Sequence, residues 1–233
     1  MFVALGEQFD ISPGTTRVAL SRMVDRGELA NDDGIYSLTG RLLERQERQD
    51  RSTQPTAQWD GTWECAIVTA SRRSARERSQ LRNALMALGL GERREGVWMR
   101  PRNLAPDRMR VSRTAADAQV EWYRLAPIPV TEARPLAAQL YPLDTWATTA
   151  LVLIEALTSA AGNMTTAART KGGASLERAF TLDAAARRHF VHDPLLPAEL
   201  APPDWPILGL RQAFMHFDGE LGAALRSFFG ALR

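Results

Sequence analysis

The chain has 233 residues, of which 45% are hydrophobic and 24% charged. This composition excludes intrinsic disorder, collagen-like repeats and coiled-coil rods as descriptions of the whole chain. The formal net charge is only +2, but residues 1–55 hold seven arginines against nine acids, whereas residues 71–113 hold twelve arginines against four acids. The positive field is therefore expected in the middle of the chain.

Neither a membrane segment nor a secretion signal is evident in the sequence. The most apolar stretch, residues 146–161, is interrupted by threonines, a serine and Glu155, and residues 1–10 lack the basic start and apolar run of a signal peptide. These features predict a cytoplasmic protein that is not bound to a membrane. The single cysteine, Cys65, lies in an apolar run, which favours a buried side chain over a nucleophile.

The first 50 residues predict two helices and a hairpin. Residues 2–8 form the first predicted helix. Ser12 and Pro13 suit the N-cap and first turn of a second helix, and Gly27 suits its end. Two short strands around an Asp-Gly turn follow, with the proportions of a wing. Together these elements predict a winged helix-turn-helix domain that binds DNA.

The second helix has an apolar face and a polar face. Leu20, Met23 and Val24 lie on the apolar face, with Thr16 as a weaker member. The polar face carries hydroxyls and guanidiniums, which bind phosphates and base edges when a helix lies in a major groove. The predicted DNA-binding residues are Ser12, Thr15, Thr16, Arg17, Ser21 and Arg22. The alternative is a small helical subdomain with solvated arginines, which its acidic balance favours.

A winged-helix domain ordinarily has a further helix before this pair, and the chain has almost nothing ahead of Phe2. We therefore expect the start of the chain to be truncated or mis-assigned. A helix-coding stretch in frame upstream of the first codon would support this expectation, and a stop codon there would contradict it.

The rest of the chain divides into a linker, an α+β domain and a helical domain. Residues 51–58 are polar and predict the linker. Residues 59–130 predict strand, helix, hairpin and strand. Pro127, Pro129 and Pro135 indicate a second junction. Residues 131–233 predict a C-terminal domain of helices over residues 144–160, 179–192 and 208–232.

Several segments carry a family resemblance. They are residues 38–43 (LTGRLL), 59–63 (WDGTW), 91–104 (GERREGVWMRPRNL), 188–200 (RHFVHDPLLPAEL) and 204–206 (DWP). With the helix-turn-helix pattern, they resemble the PaaX-like family of bacterial regulators, the repressors of the phenylacetic acid degradation operon.

The resemblance implies an α+β protein with three parts: an N-terminal winged helix-turn-helix domain, a central ferredoxin-like domain and a helical C-terminal domain. The central domain would be similar to a small CRISPR-associated integration protein. The implied function is a homodimeric repressor of an aromatic-acid catabolic operon, released by an aryl-CoA thioester such as phenylacetyl-CoA. Its implied partners are a double-stranded DNA operator and the acyl-CoA effector. The CRISPR-associated relatives hold a metal with an aspartate at the end of the first strand; residues 69–72 (TASR) lack one, so nuclease activity is not expected.

The predicted effector contacts are Arg93, Arg94, Arg100, Arg188, His189, His192 and Trp205. The arginine fork suits phosphate oxygens, so the basic middle region can bind either flanking DNA or the diphosphate of CoA. Sequence alone leaves both alternatives open, beside a merely solvated surface.

Two other functions compete with the regulator. A metal-dependent hydrolase would use His189, His192 and Asp193, and an interaction module would bind an acidic partner through its basic surface. The sequence has no glycine-rich phosphate loop, nucleophile elbow or catalytic Cys/His pairing at a recognised spacing. We therefore expect a regulator rather than an enzyme, without catalytic residues, cofactor or metal.

Overall fold

The structure is a computed structural model that describes residues 2–7, 9–40, 58–104, 110–167 and 173–230. The chain forms two compact units. The first contains residues 1–53, 149–190 and 206–233, and the second contains residues 54–148 and 191–205. The predicted linker, residues 51–58, lies outside the described residues except for Gln58.

The described residues form helices and strands that follow one another in chain order. They are α1 (Phe2–Glu7), α2 (Pro13–Asp25), β1 (Leu29–Asp32), β2 (Ile35–Leu38), β3 (Trp63–Val68), α3 (Ala75–Ala87), β4 (Gly91–Arg94), β5 (Val97–Pro101), α4 (Arg110–Asp117), β6 (Val120–Leu125), α5 (Val130–Leu140), α6 (Leu143–Ala167), α7 (Gly173–Val191) and α8 (Ile207–Gly230).

The second unit is built on a four-stranded antiparallel sheet. Its strand order is β4-β5-β3-β6, and α3 and α4 connect the strands in a β-α-β-β-α-β sequence. This connectivity is ferredoxin-like. The predicted α+β class is therefore confirmed.

The two faces of this sheet have separate cores. On one face Ala66 and Trp98 pack with Leu85 of α3. On the other face Trp63 and Met99 pack with α5 and with residues of the segment between α7 and α8. Alternate residues of β3 thus serve opposite cores, as the two-residue period of a strand requires.

The segment between α7 and α8, residues 193–205, is called the strap. Its first five residues are buried, and the Asp193 carboxylate accepts a hydrogen bond from the Leu195 backbone N–H at 3.0 Å. The buried Asn103 amide donates to the Leu195 carbonyl at 2.7 Å. Since Asn103 follows β5, this bond ties the strap to the end of the central sheet. The motif at residues 188–200 therefore includes a buried packing segment.

Two helices were not predicted from the sequence. α4 has only eight residues, and Val111 is its one large apolar residue, so the sequence offers little to mark a helix. α5 contains Pro135, which the sequence analysis assigned to a junction. Pro135 is exposed, so water can bind the carbonyl oxygen that loses its intrahelical partner. A close approach also holds α5: a side chain at Gly91 would overlap the backbone and side chain of Leu140.

A half-buried ion network lies on the α4 side of the sheet. Glu64 accepts hydrogen bonds from Arg100 at 3.0 Å and from Arg113 at 2.6 Å. The Arg113 guanidinium also lies over the Trp122 ring, 3.4 Å from its centroid. Burial raises the pKa of Glu64, but the two arginines outweigh burial and hold it below the ordinary value. The network thus joins β3, β5 and α4.

We expect Glu64→Gln to lower the free energy of unfolding by about 2 to 3 kcal/mol at pH 7, because it leaves Arg100 buried without its counter-charge. The folded-state pKa of Glu64 is lowered, so its contribution is full above the unfolded value, about 4.3, and is lost as the pH falls through the folded value. Urea unfolding from pH 7 to pH 3 measures this loss.

The matched control is Glu92→Gln, which breaks the more exposed pair with Arg82. That variant should lose less than about 1 kcal/mol. Equal losses in the two variants, or a Glu64 effect that does not shrink at low pH, would contradict the role given to Glu64.

Candidate nucleic-acid interface

The second helix of the chain, α2, is held by a close contact with α1. The Thr16 hydroxyl lies where a side chain on Gly6 would have to be, so the two helices approach closely at this point. The same hydroxyl donates to the Ser12 carbonyl at 3.2 Å. At the start of α2, Ser12 is the N-cap and accepts a hydrogen bond from the Thr15 N–H at 3.2 Å. The predicted helix start is confirmed.

The other end of α2 is tied to the β1–β2 hairpin. Gly27 has a φ of +64°, which lets the chain leave the helix, and its carbonyl accepts a hydrogen bond from the Thr39 hydroxyl at 3.0 Å. The hairpin turns at Asp33 and Gly34, both with positive φ. The predicted hairpin around the Asp-Gly turn is confirmed.

Aromatic contacts fix the surroundings of α2. Phe2 of α1 meets Tyr36 of β2 edge to face, with ring centroids 5.6 Å apart. Phe9, in the turn between the two helices, meets Phe180 of α7 at the same distance. Residues of α1, the turn and the hairpin thus form a frame around one side of α2.

The side of α2 that faces away from this frame is exposed. It carries Thr15, Arg17, Val18, Ser21 and Arg22. Within the described part of the chain, neither Arg17 nor Arg22 forms an ion pair, whereas Arg26 at the end of the helix binds Glu28 at 2.9 Å. Two guanidiniums and two hydroxyls therefore lie on an exposed helix face.

Some of the predicted DNA-binding residues stabilise α2 itself, and others are simply exposed on this face. Thr16 is turned toward Gly6, so it packs α1 against α2. Ser12 is exposed, but its hydroxyl caps the helix and bonds the Thr15 hydroxyl at 2.9 Å. Among the predicted residues, Arg17, Ser21 and Arg22 neither cap the helix nor pack it against α1.

Two exposed apolar side chains of α2 and the hairpin were not among the predicted DNA-binding residues. Val18 is 51% exposed between polar neighbours, and Ile35 is 73% exposed at the start of β2. An exposed β-branched residue on a polar helix face is the sequence signal that would have identified Val18. Apolar side chains at such positions can contact a thymine methyl group.

The predicted effector contacts do not form one cluster within the second unit. Arg93 and Arg94 are exposed on β4, while Arg100 is buried on the α4 side of the sheet with Glu64. Trp205 belongs to the core on the opposite face and stacks on Trp146, with centroids 4.6 Å apart. Among the remaining predicted contacts, Arg188 and His192 are exposed and His189 is half-buried.

The hydrolase alternative lacks an assembled metal site in the described residues. No group of three His, Cys, Asp or Glu side chains there could hold a metal ion. Asp193 is buried and caps the turn at Leu195, while His192 is exposed. Burial raises the pKa of the Cys65 thiol, which opposes its use as a nucleophile.

Two family descriptions match the chain. "PaaX protein central Cas2-like domain" matches residues 56–129, and "PaaX-like protein C-terminal domain" matches residues 152–231. The chain belongs to the PaaX-like family. Members of this family are transcriptional regulators rather than enzymes, and they bind DNA.

A solved structure is similar to this chain over nearly its whole length. The chain is similar to the uncharacterized protein Rv0674 from Mycobacterium tuberculosis, with 38% identity over 96% of this chain and 87% of that chain and a TM-score of 0.68. No protein among those with curated descriptions matches the chain. No helix in the described ranges is both long and apolar enough to span a membrane.

Proposed function

We propose that this PaaX-like protein is a DNA-binding transcription regulator whose helix α2 reads a major groove. The observation that carries the proposal is the exposed face of α2, on which Arg17 and Arg22 have no ion pair among the described residues. In a member of a family of DNA-binding regulators, such a face suits recognition of base edges and phosphates. In this proposal α1, α2 and the hairpin act as a winged helix-turn-helix domain.

Each exposed residue of α2 has a distinct role in the proposal. Arg17 lies in the N-terminal half of the helix, where recognition helices contact bases, and its planar fork fits the O6 and N7 acceptors of guanine. Arg22 and Ser21 contact phosphates or neighbouring bases. Val18 contacts a thymine methyl group. Ile35 places an apolar side chain of the hairpin beside the DNA.

We propose that the regulator acts as a homodimer on a pseudo-palindromic operator. In the first unit, the Ile154 side chain of α6 lies against Gly209 of α8. Leu151, one turn before Ile154, is 59% exposed, and Leu208, next to Gly209, is 67% exposed. Two large exposed apolar residues beside one helix contact favour self-association through α6 and α8.

The family resemblance supports a repressor of an aromatic-acid catabolic operon that an aryl-CoA thioester such as phenylacetyl-CoA releases. The candidate contacts for the effector are Arg93, Arg94, Arg100, Arg188, His189, His192 and Trp205. Release would be a population shift: the effector favours a dimer geometry in which the two recognition helices no longer fit the half-site spacing.

Arg17→Ala should abolish much of the preference for the operator. We expect it to weaken binding to the duplex upstream of the protein's own gene by about 1 to 3 kcal/mol, because a bidentate base contact is lost. Fluorescence anisotropy at fixed, near-physiological salt, against a scrambled duplex, measures the preference.

The matched control is Arg26→Ala, which removes an arginine of the same segment that is paired with Glu28. Its preference for the operator should equal that of the wild type. Wild-type protein that binds both duplexes equally well would overturn the recognition role of α2.

Leu151→Glu combined with Leu208→Glu should convert the dimer to a monomer, because two charges would have to be buried in the interface on each side. Sedimentation velocity at tens of micromolar protein measures the change. Met86→Glu, at an exposed apolar position of α3, is the control and should leave the dimer intact. A monomeric wild type, or an unaltered dimer in the double variant, would contradict the proposed interface.

Phenylacetyl-CoA should weaken operator binding at least tenfold, within the usual range of allosteric coupling of about 1 to 3 kcal/mol. The titration is made on the preformed operator complex, with CoA alone and phenylacetate alone as controls. Operator affinity that stays unchanged at saturating thioester would show that this effector is wrong.

A further inference from the structure

One end of the central sheet gathers several surface arginines. The Val68 N–H at the end of β3 donates to the Gly96 carbonyl in the β4–β5 turn at 2.8 Å, and the Thr69 N–H donates to the Gln119 carbonyl before β6 at 3.1 Å. The end of β3, the β4–β5 turn and the start of β6 therefore lie together. We call this region the hairpin end of the sheet, after the β4–β5 hairpin; it is distinct from the β1–β2 hairpin beside α2.

Helix α3 begins beside the hairpin end. Ser74 caps it, and the Arg78 guanidinium of its first turn donates to the Arg73 carbonyl at 2.7 Å, which holds the first turn close to the end of β3. The arginines carried by this end are Arg72, Arg73, Arg76, Arg78, Arg93 and Arg94.

Four acids lie near the hairpin end, and three of them are engaged by the fold; the fourth, Glu95 in the β4–β5 turn, is exposed. Glu77 accepts hydrogen bonds from the Ser74 N–H and hydroxyl, both at 2.7 Å, and these bonds lower its pKa. Glu92 is paired with Arg82 at 2.5 Å, and Asp117 accepts a hydrogen bond from the Trp122 ring N–H. None of the six arginines forms an ion pair within the described part of the chain. The end therefore carries an excess of positive charge.

The exposure of these arginines indicates which phosphates they suit. Five of the six are exposed and Arg73 is half-buried, so none lies in a closed cavity. A small ligand is ordinarily held in a pocket that buries most of its surface. A DNA backbone instead offers a row of phosphates, with one charge per about 3.4 Å on each strand, to side chains on an open surface.

We propose that the hairpin end of the sheet binds backbone phosphates of duplex DNA. This contact rests on the proposed DNA-binding function and adds a second, sequence-independent DNA surface in the other unit. Arg93 and Arg94, which the sequence analysis assigned to the effector, belong to this surface. Its contribution is electrostatic, so it increases the salt dependence of binding rather than the discrimination among sequences.

The test compares two triple variants of the full chain. Arg76→Ala, Arg93→Ala and Arg94→Ala together remove three exposed arginines of the hairpin end. Arg102→Ala, Arg124→Ala and Arg134→Ala together remove three exposed arginines from elsewhere in the same unit. Both variants lose three positive charges. Because Arg124 is paired with Asp60 and Arg134 donates to the Glu199 carbonyl, a difference between the variants reports both the position of the arginines and their lack of an ion pair among the described residues. Circular dichroism checks that both remain folded.

Binding to a random-sequence duplex of about 30 base pairs is measured by anisotropy between about 50 and 200 mM NaCl. Each phosphate contact contributes about 0.9 to the slope of log K against log salt, so the hairpin-end variant should lose up to about 2.7 from the slope. The control variant should keep the wild-type slope. Equal slopes in the two variants would overturn the proposal.

The same variants distinguish binding of DNA from binding of the effector at this end of the sheet. If the hairpin-end variant keeps its DNA slope but needs more phenylacetyl-CoA for release, these arginines bind the effector and the proposal is wrong. If the wild type shows no operator preference, the role of α2 fails, while the slopes still report on the hairpin end. If the wild type binds no duplex at all, both proposals fail.

Discussion

Strand β3 is the constraint on which the second unit depends. It is one of two inner strands of the sheet and lies between β5 and β6, so both of its edges are paired, and its alternate side chains reach two different cores. Trp63, fully buried, fills the core shared with α5 and the strap, whereas Ala66 lies under α3. Glu64, on the same side as Ala66, adds the ion network with Arg100 and Arg113. A change of register by one residue would exchange these environments and bury the carboxylate among apolar groups.

The strap adds buried residues to the core of the second unit, beside its ferredoxin-like sheet. Asn103 and the buried Asp193 satisfy backbone groups at Leu195, and Leu196 and Leu200 complete the core around Trp63. The chain therefore leaves the second unit within α6, returns to it after α7 and leaves it again before α8. A change in how the strap packs would act on the ends of both helices, because it is covalently continuous with them.

The sequence predicted best those features that depend on neighbouring residues. Ser12 with Pro13 marked the start of α2, and Asp33 with Gly34 marked the hairpin turn. In each case a side chain or a backbone torsion satisfies groups within a few residues, so the pattern carries the information. The prediction was weaker where a helix is stabilised from outside: α4 is short with few large apolar residues, α5 contains Pro135, and contacts with the sheet hold both helices.

The candidate interface also has features that local sequence patterns predict and features that depend on tertiary contacts. The sequence by itself determined the polar face of α2, the α+β character of the middle and the helical nature of the last third, because capping and periodicity are local. Only the tertiary structure decided that Thr16 packs on Gly6 and that Arg93, Arg100 and Trp205 lie in three different places. It also decided that the end of β3, the β4–β5 turn and the start of α3 bring six arginines to one end of a sheet. Those outcomes depend on strand pairing between residues far apart in the chain, which no local pattern records.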